Sequence, residues 1–287
     1  MKWYHSVLAV FVAIIWGIAF IASKIALDSF TPPQLTALRF SIASIPAIFV
    51  AKPPVPWGML IPIGLTLFTG QFLFQFFGIA NGMPPGLASV IVQTQAFFTV
   101  FFAAIVLQER PTQQQQIGIL AAFIGLGMIA LTVGRGLTGI GLTLTLISAI
   151  SWAIGNIFVK QLSTVKMFPL MIWLSLVTPL PAMMLSIIQD GPLALPQALM
   201  NSSWNSLAAL LYLGAVATIL AYAIWGELLS RYPTATVAPF ALLTPVVGSI
   251  ASAILFGEKF EVLRLAGMAS MVIGLVIAVI PMSTYKS

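Results

Sequence analysis

The chain has 287 residues, 60% of them hydrophobic and 6% charged, with a formal charge of +6 and a mean hydropathy of +1.08. A soluble domain carries about 25% charged residues, so this chain has too few to face water, and lipid is its expected solvent. Its twelve Lys and Arg stand singly between apolar runs, which favours topology and headgroup contact over nucleic-acid binding; cysteine is absent, which excludes disulfides, thiolate metal sites and cysteine nucleophiles.

A membrane helix needs about 20 mainly apolar residues. The apolar runs predict spans near 6–27, 33–51, 57–80, 84–107, 113–133, 138–160, 167–188, 205–229, 233–256 and 262–281. These runs are continuously apolar and too long for the alternating strands of a membrane barrel, so they read as helices. The first run passes into Lys24 without a small-residue cleavage site and reads as a retained helix. Pro32-Pro33, Lys52-Pro53-Pro54, Gly82-Met83-Pro84-Pro85, Arg110-Pro111, Gly134-Arg135-Gly136 and Tyr232-Pro233 break the runs. Most connections are short, so consecutive helices are expected to lie antiparallel. The connection from Gln189 to Asn205 is longer.

The chain repeats itself. Trp16 and Lys24 recur as Trp152 and Lys160, an offset of 136. Pro84, Glu109, Gly118, Ile124 and Gly125 recur as Pro233, Glu258, Gly267, Ile273 and Gly274, an offset of 149. The change of offset places an insertion in the long connection. Two copies of five spans, over residues 1–136 and 137–287, must run in opposite directions, because an odd number of crossings inverts the second copy. The expected fold is an all-α integral membrane domain of ten transmembrane helices in two inverted five-helix repeats, the arrangement of secondary transporters. Placing both termini in the cytoplasm puts Lys2, Lys52, Arg110, Lys160, Lys166, Arg231 and Lys286 inside and Lys24, Arg135, Lys259 and Arg264 outside, as the positive-inside bias favours.

The segment from Leu242 to Val276 carries Pro245 in a span, small residues at Gly248, Ala251 and Ala253, then Gly257-Glu258-Lys259, Gly267 and Gly274. It resembles the C-terminal signature of the EamA-type family of the drug/metabolite transporter superfamily. The first half matches through Gln108-Glu109-Arg110, Gly118 and Gly125, and departs at Ala96, where the second half has Pro245. The resemblance covers essentially the whole chain and is closest to aromatic or broad amino-acid exporters. It implies export of small metabolites, amino acids foremost, across a bacterial inner membrane. Sugars, cationic drugs or other metabolites are the alternative cargoes, and a passive channel-like facilitator is the alternative mode.

The charged residues have structural readings beside functional ones. Glu109 and Glu258 stand where one helix ends and the next begins, and are expected to cap the following helix rather than serve as proton sites. Arg39 is either packed or snorkelling, or it contacts a substrate carboxylate or an outer gate. Glu227 and Arg231 sit at i, i+4, an ion-pair spacing, with gating or proton coupling as the other reading. His5 reads as an interfacial residue.

The substrate-site candidates are mostly uncharged. Gln71, Gln75 and Gly78 share a face of the third span. The fourth offers Ser89, Gln93 and Gln95, the sixth Trp152 and Asn156, the eighth Tyr222 and Trp225, the ninth Thr244, and the first Trp16. Lipid cannot satisfy the amides, so each must pair with another helix or face a wet cavity. Amides with aromatic rings suit a zwitterion. No cofactor or metal is expected; an intramembrane enzyme would need a nucleophile–base pair or ligand cluster that these spans lack. The expected partners are a small-molecule substrate and the bilayer, with spans five and ten as scaffold or as the face of a homo-oligomer. Facilitated diffusion and weak proton antiport both fit.

Overall fold

A computed structural model describes residues 1–162 and 165–279, apart from the side chains of residues 234 and 235. Lys286, counted above among the inner charges, lies outside the described residues, as does the end of the run expected to reach 281. In chain order the helices are α1 (Trp3–Ala26), α2 (Pro32–Ser44), α3 (Trp57–Ala80), α4 (Pro85–Val106), α5 (Gln113–Ala130), α6 (Gly139–Lys160), α7 (Met167–Asp190), α8 (Trp204–Arg231), α9 (Ala238–Phe256) and α10 (Val262–Val279). No strand occurs among the described residues. Eight of these helices, all but α2 and α5, are long and apolar enough to cross a membrane. The α-helical part of α2 is short, and Gln113–Gln116 dilute the apolar character of α5.

The local chemistry explains the helix boundaries. Thr31 caps α2 and Thr112 caps α5, each in a reciprocal box with a glutamine three residues on. Thr138 and Ser203 cap α6 and α8. Prolines set the departures from the expected spans. The second run is α-helical only to Ser44, then tightens into a 3₁₀ turn over Ile45–Ile48 at Pro46. A turn at 176–178 interrupts α7 ahead of Pro179 and Pro181. The ninth run starts as a short turn (Thr234–Val237) and a 3₁₀ stretch over Ala238–Leu242 containing Pro239, and becomes a regular helix only from Leu243. The long connection folds into a short helix, Ala194–Asn201.

Helix irregularities recur between the halves at the 149-residue offset. A π-helical stretch occupies Leu65–Gly70 in α3 and another Tyr212–Leu220 in α8. In these, Thr69 and Thr218 donate to the carbonyls five residues back, Gly64 at 3.4 Å and Leu213 at 2.8 Å. Such bulges open the backbone and cluster at functional sites. A 3₁₀ stretch at Val92–Thr94 maps onto 241–243 and overlaps the end of the one at Ala238–Leu242. Gln108 (φ 55°) matches Gly257 (φ 64°), both left-handed and each just before the repeated acid.

Packing also pairs the halves. Helix α1 lies against α8 and α9, and α6 against α3 and α4; α2 packs on α7 and α5 on α10. The α5–α10 seam is built from the repeated glycines in crossed pairs. A methyl at Gly118 would strike the carbonyl of Gly274, and one at Gly125 that of Gly267; the reverse contacts hold as well. Small residues are what let membrane helices approach this closely. Large apolar side chains such as Leu120, Phe123, Ile188, Ile254 and Ile273 remain on the outer surface, where lipid would solvate them.

Candidate functional site

A cavity of about 340 Å³ lies between the two halves, near the small end of the range of small-molecule sites. Helices α1, α2, α3, α4, α6, α7, α8, α9 and α10 all contribute to its wall. The wall includes Val159 and Val279, in the last turns of α6 and α10, and Met167 and Ala238, which start α7 and α9. The cavity therefore extends toward the face where those ends meet. The N-terminus belongs to the same face: Lys2 N–H donates to the Tyr232 hydroxyl at 3.2 Å, and His5 Nδ1 lies 2.8 Å from it. His5, expected at the interface, is thus buried against the entrance to α9.

The opposite end is packed shut. Ser89 donates to the carbonyls of Gly86 (2.6 Å) and Pro245 (3.3 Å), joining α4 to α9. A methyl at Gly248 would strike Ser89, and one at Gly17 would strike Val247.

Trp16, Gln71, Gln75, Gln93, Gln95, Trp152, Asn156, Tyr222, Trp225 and Thr244 line the cavity, and Arg39 joins them. Two residues named from the sequence lie elsewhere. Gly78 is a close-approach point, where a methyl would meet Thr145 of α6. Ser89 belongs to the sealed end. The wall also holds residues that sequence reasoning missed, among them Leu67, Phe72, Met171 and Ala241. Phe72 stands one helical turn before Gln75, so the glutamine face itself pointed to it. The small and aliphatic positions carry no such signal.

The polar groups of the wall fall into two sets. Some are satisfied by protein. Asn156 Nδ2 donates to Gln95 Oε1 (2.7 Å) and Thr99 Oγ1 (3.2 Å), and Trp16 Nε1 donates to the Ala217 carbonyl (3.2 Å). Others are left open. Thr244 Oγ1 is buried without a hydrogen-bond partner among the described residues. Gln71 and Gln75, 3% and 4% exposed as whole residues, line the cavity and make no side-chain hydrogen bond to protein among the described residues. Arg39 is 4% exposed; its Nε and Nη2 donate to Thr218 Oγ1 at 3.3 and 3.2 Å, and its guanidinium lies 4.0 Å from the centre of the Phe72 ring. A chain of rings runs on from there: Phe72 to Phe68, Phe68 to Tyr222, Tyr222 to Trp16 and Trp16 to Trp225, with centres 5.1–6.3 Å apart.

The remaining charges sit at helix ends. Glu227 and Arg231 form the expected i, i+4 pair on an exposed surface. Glu109 and Glu258 do not cap the helices that follow them. Glu109 meets Lys160 at 2.6 Å, both half-exposed. The left-handed turn at Gly257 instead tucks Glu258 beneath the start of α4, where a methyl at Gly86 would collide with its carboxylate. Its oxygens are buried and make no hydrogen bond of good geometry. Burial pushes this carboxyl above the usual range, offset in part by the neighbouring Ser252 hydroxyl, Gly86 N–H and Arg264 guanidinium.

This is a multi-pass helical membrane protein with a polar and aromatic cavity between its halves. The EamA-like transporter family matches it over residues 3–131 and again over 139–280, and the chain belongs to that family. It is 42% identical, over 95% of this chain and 93% of the relative, to a Salmonella typhimurium protein named "Probable amino-acid metabolite efflux pump". An Escherichia coli protein of the same name is 41% identical over 95% of this chain and 94% of its own. A "Probable terminal-alkyne amino-acid exporter" of Streptantibioticus cattleyicolor is 26% identical over 96% and 94%. A solved crystal structure shares the fold with a TM-score of 0.67 at 16% identity, covering 100% of this chain and 99% of that one.

Proposed function

We propose that this protein is a secondary transporter that exports amino acids and related small metabolites across a bacterial inner membrane by alternating access. It would be built as ten transmembrane helices in two inverted five-helix repeats, residues 1–136 and 137–287, with both termini cytoplasmic. The double family match, the recurring π and 3₁₀ stretches and the crossed glycine pairs all support duplication. The names of the relatives support amino-acid metabolites as cargo and transport rather than catalysis as the activity.

One observation carries the reading: a cavity at the junction of the halves keeps unpaired polar groups toward its interior, extends toward one face and is sealed at the other. Trp16, Gln71, Gln75, Gln93, Gln95, Trp152, Asn156, Tyr222, Trp225 and Thr244 are its proposed substrate wall. In the proposed orientation the cavity faces the cytoplasm, the loading side of an exporter.

Counterflow in proteoliposomes tests the mechanism. Liposomes preloaded with unlabelled phenylalanine should accumulate the labelled amino acid transiently, with saturation. Gln75→Ala, Trp152→Ala and Tyr222→Ala should each lower the rate several-fold. Flux without trans-stimulation would instead favour a passive facilitator, and unchanged flux in all three variants would remove this wall as the site.

A further inference from the structure

Among the described residues, Arg39 is a cation without an anionic partner. Its guanidinium is almost wholly buried, and among the described residues its protein hydrogen bonds go to one hydroxyl oxygen, that of Thr218, through Nε and Nη2. Nη1 has no protein partner among the described residues. A guanidinium presents five N–H donors in a planar fork that matches a carboxylate edge. No Asp or Glu stands in the cavity wall, and the repeat-equivalent position in the second half is Ser175, which bonds its own helix at Met171. A buried charge left unpaired is expensive, and an entering anion would neutralise it.

The rest of the wall has no matching feature for a cation. An ammonium would find amide oxygens and ring faces, which also accommodate neutral groups. One positive charge suits a monoanion better than a phosphate dianion. The ring chain that begins at Phe72, beneath Arg39, and passes through Tyr222 to Trp16 and Trp225 offers a surface for an apolar body attached to that anion. Thr244, another unpaired group in the same cavity, can serve a further oxygen.

We propose that Arg39 binds the cargo carboxylate and that the carboxylate, not the ammonium, is the obligatory group. The cargo class is then small monocarboxylates with an apolar or aromatic body, amino acids being members whose amine is dispensable. This rests on the transporter reading above and sharpens it.

The test compares probes that share one ring and differ in charge: phenylalanine, 3-phenylpropionate, N-acetylphenylalanine, phenylethylamine and phenylalaninamide. Each is added to the full-length protein in detergent and its thermal stabilisation is titrated. The three carboxylates should stabilise at concentrations at least ten-fold below the two cations. Arg39→Gln should weaken the carboxylates at least ten-fold and leave the cations unchanged. Arg39→Lys, which keeps the charge but loses the fork, should fall between and still prefer acids. The acid–amine comparison in the unaltered protein stands even if Arg39→Gln fails to fold. Equal stabilisation by phenylethylamine and 3-phenylpropionate overturns the inference, as does undiminished binding of 3-phenylpropionate to Arg39→Gln. If phenylalanine counterflow persists alongside such a result, the transporter reading survives and this one falls. If no probe stabilises the protein and no counterflow occurs, both fall.

Discussion

At the scale of single residues, the sequence put the glutamines on a face away from lipid but left Arg39 with two readings, packed or in contact with substrate. Gln71 and Gln75 fall at i, i+4 in an apolar run, so lipid had to be excluded from their face. Ser89 offered the same polar signal, yet its hydroxyl is consumed by two backbone carbonyls at the sealed end. A hydroxyl can be satisfied by its own helix, whereas a two-ended amide seldom is, which is why the weaker donors misled. Arg39 could have snorkelled from its position in the sequence. Its fate depended on Thr218 and Phe72, distant in the chain. Thr218 also combines two roles that its counterpart does not. It accepts from Arg39 while donating to Leu213, whereas Thr69 donates to Gly64 and Thr178 without meeting a charge. Hydrogen bonds to charged groups contribute about 1.5–3 kcal/mol, against about 0.5–1.5 for neutral ones. Thr218→Val should therefore lower unfolding free energy by roughly twice as much as Thr69→Val. Reversible unfolding in mixed micelles measures both, and equal losses would detach Arg39 from the hydroxyl.

Among elements, the apolar runs located the helices but not their breaks. Hydropathy reports the solvent around a segment, and a π bulge or a 3₁₀ stretch leaves that average unchanged. Proline marked some of the irregularities, at Pro46 and Pro239. The bulges at Leu65–Gly70 and Tyr212–Leu220 have no proline, and their threonine signature is visible only once the fold is known. The loops were misread in a similar way. Both acids stand at a helix start in the sequence, but the left-handed turns at Gln108 and Gly257 aim them elsewhere. For Glu258 this has a pH signature. Its carboxyl is raised above its unfolded range, so the native state holds more protons than the unfolded state as pH climbs past that range. Stability from this group is therefore highest in acid and falls as pH rises through its folded value. Melting temperatures of the detergent-solubilised protein should decline from about pH 4.3 upward, the unfolded glutamate value, and Glu258→Gln should flatten that decline. An identical slope in the variant would assign the pH dependence to other groups.

For the whole molecule, duplication was the strongest sequence signal, and the repeated glycines sit at close helix contacts. Gly118, Gly125, Gly267 and Gly274 recur since each must let a neighbouring backbone pass. The sequence could not reveal which glycine meets which; the crossed pairing follows from packing. Nor could it tell which end of the cavity is sealed, because that depends on small packing differences between matching helices. Orientation in the bilayer is open to direct measurement. With cysteine absent from the chain, single cysteines introduced at positions 2 and 190 report without background. A membrane-impermeant maleimide added to intact cells should label position 190 and spare position 2. The reverse pattern would turn the molecule over.

The glycine seam between α5 and α10 has a mechanical consequence. At its four glycines backbone rests on backbone, with the Met271, Ala278 and Ile129 side chains close beside them, so the seam has little room to re-pack. They act as a keel. If the proposed alternating-access cycle operates, α1–α4 and α6–α9 are expected to move while this pair stays together.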